Sequence, residues 1–262
     1  MDRARLLRLA GLVTGILAAV SLTIGREPGV GPALSVAALV ALLSAGLVAA
    51  DRTVARPDTT GVRTARLVRR RLVDVVPLGP AIGVVPLVVA LSGLLSVTSV
   101  ASTPHTHSDF TPPNPNDGRH IGCLSGGMTQ SGPWPGWFYA IPVLTTVGVA
   151  IVVAVVALRG VLARPVVESA ALSGDDYRRR TASAIVAALG VVVAVPLAGA
   201  AYFTYSVLGQ PLVCDEPVVQ ETRPWLVALI IIAAAAGAYY AARLVFPPAA
   251  VASPRAAVVA VR

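Results

Sequence analysis

The chain has 262 residues, of which 55% are hydrophobic and only 13% charged, and its mean hydropathy is +0.75. A water-soluble domain carries about 25% charged residues, so the composition excludes an ordinary soluble protein. The formal charge of +8 would suit nucleic acid, but the basic residues, all arginine, stand in short blocks between apolar runs with few aromatics among them. That pattern belongs to membrane topology.

Residues 9–25 form the first apolar run, behind Arg3, Arg5 and Arg8. A secretory signal would begin in this way, with Ala19-Val20-Ser21 as a poor cleavage site. A second run follows at once over 33–50, however, and residues 1–50 are read as a retained helical hairpin. Residues 51–76 make an arginine-rich loop that includes Arg69, Arg70 and Arg71. A third span over 77–98, an outer polar loop over 99–137 and a fourth span over 138–158 form the next hairpin, 77–158. The loop 159–183 ends on the run Arg178-Arg179-Arg180. Spans over 184–206 and 225–246 then make the hairpin 184–246, and the tail 247–262, short and rich in Ala and Pro, is expected to be disordered.

Each run approaches the ~20 residues that cross a bilayer. Hydrocarbon offers a backbone amide no partner, and long apolar runs without alternation do not close into a barrel, so the spans must be helical. With the N-terminus in the cytoplasm, only Arg26, Arg119 and Arg223 of the 21 basic residues fall on the outer side. Arginine excess in short loops marks the cytoplasmic face. The expected fold is therefore an all-α integral membrane protein of six transmembrane helices arranged as three hairpins. Both termini are cytoplasmic and the location is the plasma membrane.

One pattern occurs twice. Cys123, Ser131, Pro133 and Trp134 have the same offsets as Cys214, Thr222, Pro224 and Trp225. With Arg69–Arg71 matching Arg178–Arg180, and Pro86 matching Pro196, the third and fourth spans read as a tandem repeat of the fifth and sixth. Such copies are related by an axis along the membrane normal. The topology puts both cysteines outside, where thiols oxidise, so a Cys123–Cys214 disulfide is expected. Ser131 and Thr222 suit helix N-caps, and Pro133 and Pro224 suit a first helical turn. Trp134, Trp137 and Trp225 suit interface anchors. Pro86 and Pro196 should kink their helices, and Gly11/Gly15 and Gly79/Gly83 have the spacing for close helix packing.

Chemistry is sparse. Spans one to five contain no ionisable residue, which argues against a proton- or sodium-coupled carrier and against an intramembrane protease. Ser92, Thr145, Thr146, Tyr202, Thr204 and Tyr205 supply hydroxyls at depth, where such groups bond their own backbone or a neighbouring helix. His105, His107 and His120 are weak metal candidates in a proline-rich loop, since a metal site needs a fixed ligand set. The reading is no metal, no cofactor, no nucleic-acid partner and no enzyme. Arg69, Arg70, Arg71, Arg178, Arg179 and Arg180 are expected to meet anionic lipid of the inner leaflet.

The run Gly132-Pro133-Trp134-Pro135-Gly136-Trp137-Phe138-Tyr139 leading into a span, with the lone Cys123 upstream, resembles uncharacterised multi-pass membrane proteins of high-GC actinobacteria. The resemblance covers mainly residues 62–246 and implies a plasma-membrane location. Three functions follow in order. The first is a non-catalytic structural or accessory membrane component. The second is a small-solute permease or channel with its path between kinked spans three and five. The third is an outer-face sensor using the histidine-bearing loop. A polar midplane cavity would favour the second, clustered histidines the third, and a packed apolar bundle the first.

Overall fold

The structure, a computed structural model, describes residues 3–24, 31–54, 75–102, 121–123, 129–131, 134–163, 174–209 and 217–246. Every apolar run in this set becomes a helix. These are α1 (Arg3–Ile24), α2 (Gly31–Val54), α3 (Leu78–Ala101), α4 (Trp137–Ala163), α5 (Gly174–Leu208) and α6 (Pro217–Val245). Between α3 and α4 lies a short antiparallel ribbon, β1 (Ile121–Cys123) and β2 (Thr129–Ser131), in which Ile121 faces Ser131 and Cys123 faces Thr129. Five helices are long and apolar enough to cross a membrane; the apolar stretch described in α2 is shorter, Ser35–Ala49.

The helices outrun the predicted spans. α5 is the extreme case, with 35 residues. At 1.5 Å per residue it is about 52 Å long, well beyond the ~30 Å of a hydrocarbon layer. Its polar first turns, with Asp175 and Asp176 ahead of the arginines, favour a helix start there, since carboxylates suit a helix N-terminus. The block Arg178–Arg180 therefore lies on a helix, and the predicted loop 159–183 is corrected accordingly.

α5 is the hub. It packs against α2, α3, α4 and α6, and 67% of its apolar window is buried against 17% to 28% for the other four spans. Ala182, Val193, Ala194, Leu197 and Ala201 are wholly enclosed. A helix apolar on every side belongs in the middle of a bundle. In lipid, where tails are as apolar as leucine, packing holds helices together, and small side chains allow close approach. The run of Ala and Val on α5 supplies that smoothness.

Glycines set two of the closest contacts. A Cβ on Gly11 would lie 2.9 Å from the Leu42 carbonyl oxygen and 3.0 Å from Gly46 Cα, so α1 lies directly on α2. A Cβ on Gly190 would enter the Tyr240 ring. That ring, from α6, reaches across α5 and donates its hydroxyl to the Pro80 carbonyl of α3 at 2.8 Å. Gly79, by contrast, meets nothing within 4 Å, so of the predicted packing pairs Gly11/Gly15 makes a helix interface and Gly79 does not.

Contacts also fix relative directions. Tyr240, late in α6, meets Pro80, early in α3, and Gly46, late in α2, meets Gly11, early in α1. Successive helices run in alternating directions. The two predicted repeats pack differently, however. α5 and α6 lie along each other as a closed pair, whereas α3 and α4 each contact α5 more than they contact one another.

Candidate functional site

The last four carbonyls of any helix have no partner within it. In α3 these include Thr98, and the twice-occurring motif answers this need. Trp134 Nε1 donates to the Thr98 carbonyl at 2.8 Å, and Thr98 Oγ1 donates to the Pro135 carbonyl at 2.6 Å. Both side chains are buried, Trp134 against Val207, Leu208 and Leu226. The segment can do this because it is not helical. A proline disfavours the α conformation in the residue before it, so Pro135 holds Trp134 out of a helix. The Gly136 amide closes back on the Trp134 carbonyl at 2.8 Å, and the Gly136 carbonyl accepts from Tyr139 and Ala140 as α4 begins.

This geometry corrects four sequence expectations. Trp134 is not a lipid-facing anchor, because it is enclosed between the end of α3 and the end of α5. Ser131 is not an N-cap, since it lies in β2, well before Trp137 opens α4. Thr222 and Pro224 do not cap or open a helix either; α6 begins at Pro217, and both lie past its first turn. Trp137 and Trp225 are exposed, Trp225 at 77%. Pro133 lies outside the described residues.

Pro86 and Pro196 stand inside α3 and α5, and Pro142 and Pro224 stand inside α4 and α6. Pro224, expected in a first helical turn, is interior because α6 starts earlier than its apolar run, and Pro142 falls close to the predicted span start. Thr146 and Thr204 donate to carbonyls of their own helices, Pro142 at 2.7 Å and Ala200 at 2.8 Å. Arg223 lies over the Tyr205 ring at 5.0 Å and links the start of α6 to the end of α5.

The other predicted site residues are dispersed or lie beyond view. Cys123 has its backbone in β1; its side chain, Cys214, His105, His107, His120, Arg69, Arg70, Arg71 and the tail 247–262 lie outside the described residues. Among the described residues no three His, Cys, Asp or Glu side chains converge as a metal site would require. Arg178 is 5% exposed, which removes it from the lipid-facing set, while Arg179 is exposed and Arg180 partly so.

Cavities flank α5 on several sides. One, about 370 Å³, lies beside Pro196, and Leu95, Trp134, Tyr139, Val143 and Phe203 are among its walls. Its hydroxyls come from Ser35, Tyr139 and Tyr202. A second, about 260 Å³, lies between α2, α4 and α5 with Arg8 of α1 among its lining residues, and another, about 280 Å³, lies between α1, α5 and α6. Between α3 and α5 themselves the space is filled: Leu87, Leu91 and Leu95 share one core with Val193 and Leu197.

No family of known proteins, curated protein or solved structure matches this chain.

Proposed function

We propose that the chain is a non-catalytic, structural or accessory component of the plasma membrane, with six spans and both termini in the cytoplasm. The observation that carries this reading is the leucine-filled contact between α3 and α5. A permease of this architecture would place its path there, between the proline-bearing spans. Sites of transport and proton relay are usually marked by ionisable or coordinating groups at depth. Here the hydroxyls Thr146 and Thr204 are spent on their own helices. The outer cavity beside Pro196 is walled by aliphatic and aromatic side chains, which suits packing or an apolar chain better than a hydrated solute.

In this reading the ribbon, the Trp134 segment and the Arg223–Tyr205 contact face the outside. The Cys123–Cys214 bridge ties the ribbon to the α5–α6 loop, because the outer compartment is oxidising. Exposed aliphatic faces, such as Val149, Val152 and Val156 on α4 and Ile231 and Ile232 on α6, meet lipid or a membrane partner.

The test has two arms. Affinity purification in mild detergent, after cross-linking in cells, should recover a membrane protein in fixed ratio to this chain. The purified chain in liposomes should add no permeability to small neutral or ionic solutes. Solute flux that depends on the chain, with no partner recovered, would replace this reading with the permease.

A further inference from the structure

The cavity between α2, α4 and α5 has a polarity and a length that the accessory role does not use. Ser44 of α2 lies part-way along it, and its cation and its phenol are gathered at one end. Arg8 and Tyr177 lie there, with Thr181 one turn deeper, while Val40, Ala150 and Val192 line the far end. From Tyr177 to Val192 is fifteen residues of continuous helix, about 22 Å along the axis. One leaflet with its headgroup layer is about 20–22 Å thick, half of the ~40–45 Å bilayer. The crevice is thus about as long as one leaflet is thick, cationic at one end and aliphatic at the other.

We infer that this crevice holds one acyl chain of an anionic membrane phospholipid, with the lipid phosphate at the Arg8 guanidinium. A guanidinium offers a planar fork of donors that matches two phosphate oxygens. Basic pockets between helices on the cytoplasmic side are where anionic headgroups dock. The small side chains Ala154, Ala157, Ala184 and Ala188 leave the room that a methylene chain fills. The inference rests on the orientation proposed above, which puts Arg8 on the cytoplasmic side, and it is independent of whether the protein has a protein partner. It also moves lipid recognition from the Arg178–Arg180 block, whose first arginine is enclosed, to a defined crevice.

The full chain is reconstituted in nanodiscs of equal parts phosphatidylcholine and phosphatidylglycerol and then extracted in mild detergent. Co-purifying lipid is counted by native mass spectrometry. Both lipids carry the phosphate, but in phosphatidylcholine a choline cation offsets it and is repelled by the guanidinium. Phosphatidylglycerol should therefore be retained over phosphatidylcholine by about tenfold, equivalent to ~1.4 kcal/mol. Arg8→Gln should bring the ratio to about one and Arg8→Lys should keep most of it, while Ala188→Phe should expel both lipids. A diazirine-bearing acyl chain should cross-link wild-type protein on the inner halves of α4 and α5. Equal retention of the two lipids, an unchanged ratio in Arg8→Gln, or cross-links confined to the outer faces of α4 and α6 would each overturn the assignment. Displacement of the retained species by inorganic phosphate alone would do so too. Should Arg8→Gln fail to fold, the wild-type cross-links and the Arg8→Lys ratio decide. Sidedness of the cysteines is read separately, so a wrong orientation is told apart from an empty crevice.

Discussion

Residues 131–134 and 222–225 present the same order, a hydroxyl residue, one more, then Pro-Trp, yet Trp134 is 3% exposed and Trp225 is 77% exposed. The residues that follow account for the difference. After Trp134 come Pro135 and Gly136, which keep the chain out of a helix until Trp137 and let the indole turn inward onto the end of α3. After Trp225 come Leu226 and Val227, which continue a helix already begun at Pro217. On that helix Leu226 takes the inward position, against the same Val207 and Leu208 that cover Trp134. The two copies therefore converge on one cluster at the same end of the bundle, one through its tryptophan and the other through the next residue. Equal spacing in sequence does not carry equal structure when the flanking residues set different backbones.

That contrast has measurable consequences. Trp134→Ala removes a buried aromatic and leaves the Thr98 carbonyl unpartnered, and it should destabilise the bundle by about 3–5 kcal/mol. Trp225→Ala should stay within about 0.5 kcal/mol. The midpoint of unfolding in mixed detergent–SDS micelles reads both, and similar losses at the two sites would remove the distinction. A second pair contrasts the closed α5–α6 hairpin with the outer face of α3. Gly190→Ala forces a methyl against the Tyr240 ring and should cost about 1–3 kcal/mol as overpacking does. Gly79→Ala meets open space and should be neutral or slightly stabilising. Thr98→Val leaves the Pro135 carbonyl without its donor and should cost about 1 kcal/mol, again by the same midpoint. A smaller loss is expected for Tyr240→Phe. Losing its bond to Pro80 should cost about 0.6 kcal/mol, the average for hydrogen bonds between membrane helices. A loss above that of Gly190→Ala would shift the weight of this contact from packing to the hydroxyl.

Helix class was legible because hydrocarbon leaves the backbone one solution; five of the expected spans are long and apolar enough to cross a membrane, while the apolar stretch described in α2 is shorter. Helix ends were less legible. The start of α5 lies ten residues before the predicted span, because Tyr177 to Thr181 contain no breaker and hydropathy is blind to a helix that continues past the apolar layer. Gly11 was legible as a packing residue from its spacing with Gly15. Gly190 was not, because its role depends on Tyr240, fifty residues away. The burial of Trp134 was missed for a related reason. A tryptophan beside a span reads as an interface anchor, and only the open carbonyl at the end of α3 shows where its N–H goes. The hub position of α5 was foreshadowed by its Ala- and Val-rich run, although the sequence placed it in a hairpin equal to that of α3 and α4.

The orientation of the bundle underlies the proposed function, the proposed disulfide and the proposed lipid crevice alike. It is tested by adding a maleimide that cannot cross membranes to intact cells after mild reduction, with single-cysteine variants that retain Cys123 or Cys214. Both thiols should be modified before lysis, while a cysteine placed at Arg179 should react only afterwards. Protection of Cys123 and Cys214 until lysis, with prompt labelling at position 179, would invert the protein in the membrane and contradict the account.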